Sequence, residues 1–198
     1  VGRTTVVYDL GAGTFDATVL RRTPHGFTQL ATEELPDAGG HDIDAAIVAH
    51  LTAAGAATGG RLFWDRVRAA KERLSRETAT TVIDRGAPLT RRQVEAIARP
   101  ILERTVAATR AALVAAGPPA TRLAAVVMIG GASRIPLAAL LLHSAFGVAP
   151  VLVDQPDLVV ARGAALPGEL LQRLPAVARQ RTRRPPDAAP HGGSGGPS

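Results

Sequence analysis

Asp9 and Asp16 flank the turn Gly11-Ala12-Gly13-Thr14 within "VVYDLGAGTFDATVL", Val6 to Leu20. Successive amides in a tight glycine turn can point into one concavity and hold phosphate oxygens, and the Thr14 hydroxyl adds a donor. Two carboxylates at the lips of a hairpin suit Mg²⁺, which keeps several waters and takes few carboxylates. A plain hairpin whose aspartates cap a solvated turn fits the same residues. A second glycine turn stands in "MIGGASRIP", Met128 to Pro136. There a strand, Gly130-Gly131 and a helix start bring amides and a positive helix end toward an anionic or polar ligand. Arg134 falls in the first helical turn, where its planar guanidinium could stack on a base. A tight packing turn is the alternative reading. The third turn, "GGHDID" from Gly39 to Asp44, is weaker by itself.

These turns need strands and helices to carry them. From Thr4 to Leu20 the chain is rich in β-formers on both sides of the first turn, and "GFTQLAT", Gly26 to Thr32, follows the "TPHG" turn signal. A three-strand meander is expected. After Gly39-Gly40, Ile43, Ile47, Val48 and Leu51 recur at helical spacing. A further helix is expected around "RLFWDRVRAAKERLS", then a strand in the β-branched "TATTVID". Thr90 with Gln93 matches a capping box, and Val94, Ile97, Ile101, Val106 and Leu113 form the apolar stripe of the helix it opens. Pro100 removes an internal hydrogen bond and is expected to kink or divide that helix. "LAAVVMI" reads as a buried strand, followed by a helix with Pro136 in its first turn. "APVLVD" is a short strand, and "QPDLVVARGAALPGELL" a final helix.

Composition narrows the function classes. The chain has 198 residues, 46% hydrophobic and 20% charged, as a soluble globular protein does. No Cys is present, so disulfides and thiolate metal sites are excluded. Apolar runs such as "LAALLL" from Leu137 are far too short to span a bilayer. His25, His41, His50, His143 and His191 are dispersed without metal-ligand spacing, and Ser133 forms no recognisable triad with any of them. Net charge is +6, and much of the excess lies late, at Arg173, Arg179, Arg181, Arg183 and Arg184. Those arginines lack interleaved aromatics and run into Pro and Gly, so a solvated, disordered tail is preferred over a nucleic-acid-binding one. The opening "VGRTTVV" lacks an initiator Met and points to a fragment or a frame opened inside a domain.

Five motifs in order, "VVYDLGAGTFDATVL", "AGGHDID", "AAKERLS", "MIGGASRIP" and "QPDLVVARGAAL", resemble the second half of the nucleotide-binding domain of heat-shock 70 (DnaK-type) chaperones. The resemblance implies an α/β fold: an actin-like ATPase (ribonuclease H-like) lobe with a mixed β-sheet, flanking helices and a small helical/β subdomain. It implies such a lobe over residues 1–172, with 173–198 as a Pro/Arg/Gly-rich tail. It further implies ATP/ADP and Mg as cofactors. Asp9 and Asp16 would lie near Mg²⁺ (held through water) and the attacking water, with Thr14 beside the γ-phosphate, these three forming the catalytic set. Gly11, Ala12 and Gly13 would line the phosphates, and Gly39 and Gly40 the ribose and phosphates. Lys71 and Ser75 would contact the adenosine. Gly130, Gly131 and Arg134 match the adenosine motif, Arg134 stacking on adenine, and Asp157 lies close to the nucleoside.

By the same resemblance the chain is expected to be part of a cytoplasmic, ATP-binding chaperone of the stress response, acting with a first lobe, a co-chaperone or exchange factor, and client proteins. A non-hydrolysing nucleotide-sensing or scaffolding protein is the rival, and nucleic-acid binding through the tail a second. Several residues depart from the family pattern. Ala12 replaces the middle glycine of Gly-Gly-Gly-Thr; if that position needs a left-handed backbone, a Cβ there costs roughly 1–2 kcal/mol. Ala132 replaces a serine, Arg68 stands where glutamate is usual, and Glu72 where arginine is frequent. The segment from Gly40 to Lys71 is shorter than usual, which trims the part exchange factors grip. The family's first lobe supplies another phosphate loop, a catalytic lysine (not Lys71) and a water-positioning glutamate. Phosphoryl transfer needs charge stabilisation from all sides, so this chain alone is expected to show negligible hydrolysis.

Overall fold

The computed structural model describes residues 1–55, 60–82, 87–117 and 123–165. A five-stranded mixed sheet runs in the order β3-β2-β1-β6-β7, formed by β1 (Thr4–Leu10), β2 (Phe15–Thr23), β3 (Gly26–Leu35), β6 (Leu123–Ile129) and β7 (Val151–Leu152). β1, β2 and β3 are the antiparallel meander, whereas β6 joins β1, and β7 joins β6, in parallel. Parallel pairing requires a crossover, supplied between β3 and β6 by α1 (Gly40–Ala53), α2 (Gly60–Leu74) and α3 (Arg91–Ala115). A two-stranded sheet of β4 (Ala79–Thr80) and β5 (Leu89–Thr90) lies between α2 and α3. After β6 come a 3-10 turn (Gly131–Arg134), α4 (Pro136–Phe146) and α5 (Val159–Ala164).

Alternation along the strands sorts side chains between the two faces of the sheet. Val6, Tyr8 and Leu10 of β1, Phe15, Ala17 and Val19 of β2, and Val126 and Met128 of β6 are buried in one core with Ile43, Ile47, Leu102 and Leu142. Thr5, Val7 and Asp9, on the other face of β1, are only half-buried. α3 lies across β2 and β3 and packs on α1 and α4. Its buried line is Val94, Ala98, Leu102, Thr105, Thr109 and Ala112, while the expected Ile97, Ile101, Val106 and Leu113 flank it half-buried. The two threonines satisfy their hydroxyls within the helix, Thr105 donating to Leu102 O at 2.7 Å and Thr109 to Thr105 O at 2.8 Å. Because the Thr105 proton is engaged, the Tyr8 hydroxyl is the donor in its 2.6 Å bond to Thr105 Oγ1, which pins β1 to α3.

Several local expectations change. Pro100 does not divide α3, which continues through it; the proline is exposed, so water can reach the carbonyl that loses its amide partner. The capping box at Thr90 forms as expected, with Thr90 N donating to Gln93 Oε1 at 2.9 Å. β3 extends to Leu35, beyond the expected Thr32. The final helix starts at Val159 rather than Gln155, because Gln155 has a positive φ of 49° and a proline follows it. The end of that helix, the tail from 173, and Ile83-Asp84 of "TATTVID" lie outside the described residues, and only Ala79–Thr80 of that segment pairs as a strand.

Candidate nucleotide site

Leu10 and Phe15 close the β1–β2 ladder, both fully buried, with Phe15 4.6 Å from Tyr8 between ring centroids. Anchoring these apolar side chains on the core face sends their neighbours Asp9 and Asp16 to the other. The two aspartates are direct cross-strand partners, an arrangement that repels between like charges. Burial pushes the Asp9 carboxyl above the usual carboxylate range, and the Asp16 charge pushes it further. A divalent cation outside the pair would relieve both effects. Among the described residues no group of three or more His, Asp or Glu side chains is placed to hold a metal directly. Two carboxylates leave most of an Mg²⁺ shell to water, as that ion prefers.

The Gly11–Thr14 loop is bound to the first turn of α1. Gly11 N donates to Thr14 O at 3.0 Å, Gly40 N to Gly11 O at 2.9 Å and His41 N to Ala12 O at 2.7 Å. In a trans peptide a carbonyl and the following N–H point in opposite directions, and no peptide among the described residues is cis. The N–H groups of Ala12 and Gly13 therefore point away from α1, side by side. Ala12 carries no left-handed cost, because Gln155 is the one non-glycine residue with positive φ among those described. Gly39 is demanded by the fold itself: a Cβ there would lie 2.5 Å from Gly13 C and 2.6 Å from Ala12 O. Gly13 is not, since a Cβ on it would meet nothing within 4 Å. Its open side is room that a close-approaching ligand could use.

The other glycine turn meets the hairpin from β6. Gly130 has φ +83°, and a Cβ on it would overlap Leu10 O and sit 2.6 Å from Asp9 Oδ1. Its amide donates to Pro156 O at 2.9 Å, and its carbonyl accepts from Ser133 Oγ at 2.7 Å. Arg134 ends a 3-10 turn and does not stand in the first turn of α4. Ile135, held extended ahead of Pro136, separates the two. The Arg134 guanidinium is held by Asp157 at 2.5 Å, beside Gly131, whose added Cβ would lie 3.8 Å from Asp157 Cβ.

Gly40 is where the motifs converge. A Cβ on it would lie 3.2 Å from Lys71 Nζ, 3.4 Å from Ala132 Cβ and 3.5 Å from Gly11 O. Lys71 is 7% exposed, and its ammonium donates to Gly40 O at 2.7 Å and pairs with Asp44 at 2.8 Å. Ser75 lies just past α2, its amide bonded to Glu72 O at 3.3 Å, and among the described residues no hydrogen bond places it against the glycine turns. Two residues to which sequence reasoning gave no role stand beside these turns. Asp44 interrupts the apolar stripe of α1 between Ile43 and Ile47, a signal that could have marked it as buried. Arg104 of α3 clamps Asp37, through its carboxylate at 2.6 Å and its carbonyl at 3.3 Å, just before Gly39.

Comparison with known proteins agrees with the fold. The family model described as Hsp70 protein matches residues 1–178. A chaperone protein HscA homolog of Bordetella pertussis is 40% identical over 177 residues, covering 83% of this chain and 28% of that protein. Homologs of the same name from Burkholderia thailandensis and Burkholderia mallei are each 38% identical over 179 residues, covering 83% of this chain and 29% of theirs. The chain thus spans less than a third of the length of these relatives. A five-stranded mixed sheet flanked by helices fits the actin-like ATPase lobe of that family. No helix among the described residues is long and apolar enough to cross a membrane. The chain belongs to the Hsp70 family.

Proposed function

We propose that this chain forms one wall of a Mg-ATP/ADP site and serves an ATP-dependent chaperone as the second lobe of its nucleotide-binding domain, over residues 1–172. The observation that carries the reading is the convergence at Gly40: the Gly11–Thr14 loop, the start of α1, Lys71 and the turn after β6 all meet there. The adjacent amides of Ala12 and Gly13, directed away from α1, suit two phosphate oxygens, and the exposed Thr14 supplies a hydroxyl. Asp9 and Asp16 would hold Mg²⁺ through its waters; that ion supplies neutralising charge between the carboxylates and the phosphates. Gly13 leaves room for close approach, and Gly39 keeps the loop pressed to α1. Gly130 and Gly131 bring the Arg134–Asp157 pair to the edge of the same surface, where the guanidinium can cover a base and Asp157 fixes its plane. Ser75 would act only at the periphery. Clients, a co-chaperone or exchange factor, and the family's first lobe are the partners this reading requires.

Titration calorimetry of the 198-residue chain with Mg-ADP and Mg-ATP tests it. Saturable heat that disappears with Asp16→Asn or in EDTA is expected. Absence of heat at millimolar nucleotide overturns the reading for this chain. Turnover that appears only when the family's first lobe is added would favour a catalytic role over a scaffolding one.

A further inference from the structure

Asp44 has no ligand-contacting part in the site proposed above, yet it is the most deeply buried charged side chain described, 2% exposed. Its compensation is meagre. Lys71 Nζ stands 2.8 Å from Oδ1 and Arg68 Nε 3.6 Å from Oδ2, with the Arg68 side chain 49% exposed. Neither carboxylate oxygen has a hydrogen bond of good geometry among the described residues. A buried carboxylate without amide or hydroxyl donors is a poor source of stability, because desolvation offsets much of the Coulombic gain. Its placement has a different consequence. The ammonium that Asp44 holds also donates to Gly40 O, and Gly40 N in turn holds Gly11 O of the loop. Asp44, Lys71, Gly40 and Gly11 therefore form a continuous strut from the interior of α1, across α2, to the loop.

We propose that Asp44 is a positioning residue for the nucleotide site: through Lys71 it fixes the Gly40 peptide, and through that peptide the Gly11–Thr14 loop. Lys71 reaches both groups because Gly40 and Asp44 stand one turn apart on the same side of α1. Neutralising the carboxylate takes away the charge that holds the ammonium, which is then free to move in the space beside Gly40. The loop then loses its fixed partner without losing any ligand-contacting group of its own. The inference rests on the nucleotide reading above and adds a residue that would touch no ligand.

A double-mutant cycle on the 198-residue chain tests it, using Asp44→Asn, Lys71→Gln and the pair together, with Kd for Mg-ADP measured by calorimetry where circular dichroism shows each variant folded. Asp44→Asn is expected to raise Kd about tenfold. Because Asp44 acts through Lys71, the double variant should bind within about twofold of Lys71→Gln alone. An unchanged Kd for Asp44→Asn, or a double variant whose loss is the product of the two single losses, overturns the inference while leaving the nucleotide reading intact. No binding by the unsubstituted chain overturns both. Should Asp44→Asn fail to fold, the apolar pair Asp44→Leu with Lys71→Met keeps the volume buried without charge. That variant should fold and bind as weakly as Lys71→Met, and wild-type affinity in it overturns the inference.

Discussion

At the Gly11–Thr14 loop the contacts run from backbone to backbone: two amides of α1 hold two loop carbonyls, and Gly39 and Gly130 admit neighbouring chain where a Cβ would collide. At the Arg134–Asp157 corner the contact is an ion pair between side chains, both more than a third exposed, on a segment turned by the positive φ of Gln155. The first region is set by shape and leaves little to side-chain identity, which is why Ala12 is accommodated there. The second is set by charge in contact with solvent, so salt and side-chain chemistry adjust it. On the proposed nucleotide reading, a phosphate end built of backbone beside a nucleoside end built of side chains would separate rigid placement from adjustable recognition.

Gly130→Ala and Gly39→Ala attack the first region and should have the largest effect. Backbone overlap at both positions, with left-handed strain added at Gly130, is expected to cost about 3 kcal/mol or more. Thermal unfolding should show a Tm lowered by ten degrees or so, and a loss below two degrees would mean the loop is not clamped. Asp9→Asn removes the cross-strand repulsion and should stabilise the ligand-free chain by up to about 1 kcal/mol at neutral pH, while abolishing the Mg²⁺ dependence of nucleotide binding. The sign follows from Asp9: its folded carboxyl titrates above its unfolded value, so the folded state holds its proton more tightly. The Asp9 contribution to stability is thus fully present below the ordinary carboxylate range and is lost as pH rises through the folded value. Urea melts from pH 3 to 7 should show the advantage of Asp9→Asn growing as pH rises; a constant difference would reject this account.

Asp157→Asn should change stability by less than about 1 kcal/mol, as exposed pairs do, yet weaken Mg-ADP binding several-fold, with the wild-type excess shrinking in high salt. Equal loss for Mg-tripolyphosphate, which has no base, would place Arg134 away from the nucleoside. Ala12→Gly should matter least. With no left-handed strain to relieve, it should leave nucleotide affinity within about twofold and cost up to about 1 kcal/mol through chain entropy. A tenfold gain in affinity would show that the loop changes φ on binding.

The β-formers on both sides of the first turn, the glycine turns, the Thr90 capping box and the helical stripe of α1 are local patterns, readable because each depends on only a few neighbouring residues. By themselves they determined a meander, a strand–glycine–helix unit and the positions of three glycine turns. Their order along the chain carried the resemblance to the family. What they could not determine depends on residues distant in sequence and adjacent in space. That Lys71 would be enclosed by Asp44 and the Gly40 carbonyl, that the Gly11 and Ala12 carbonyls would turn toward α1, and that Gly39 rather than Gly13 would be required by packing were decided by how α1, α2 and β6 close on the hairpin. The physical reason is that backbone direction and burial of charge are fixed by the partner across the gap, and local propensity has no term for that partner.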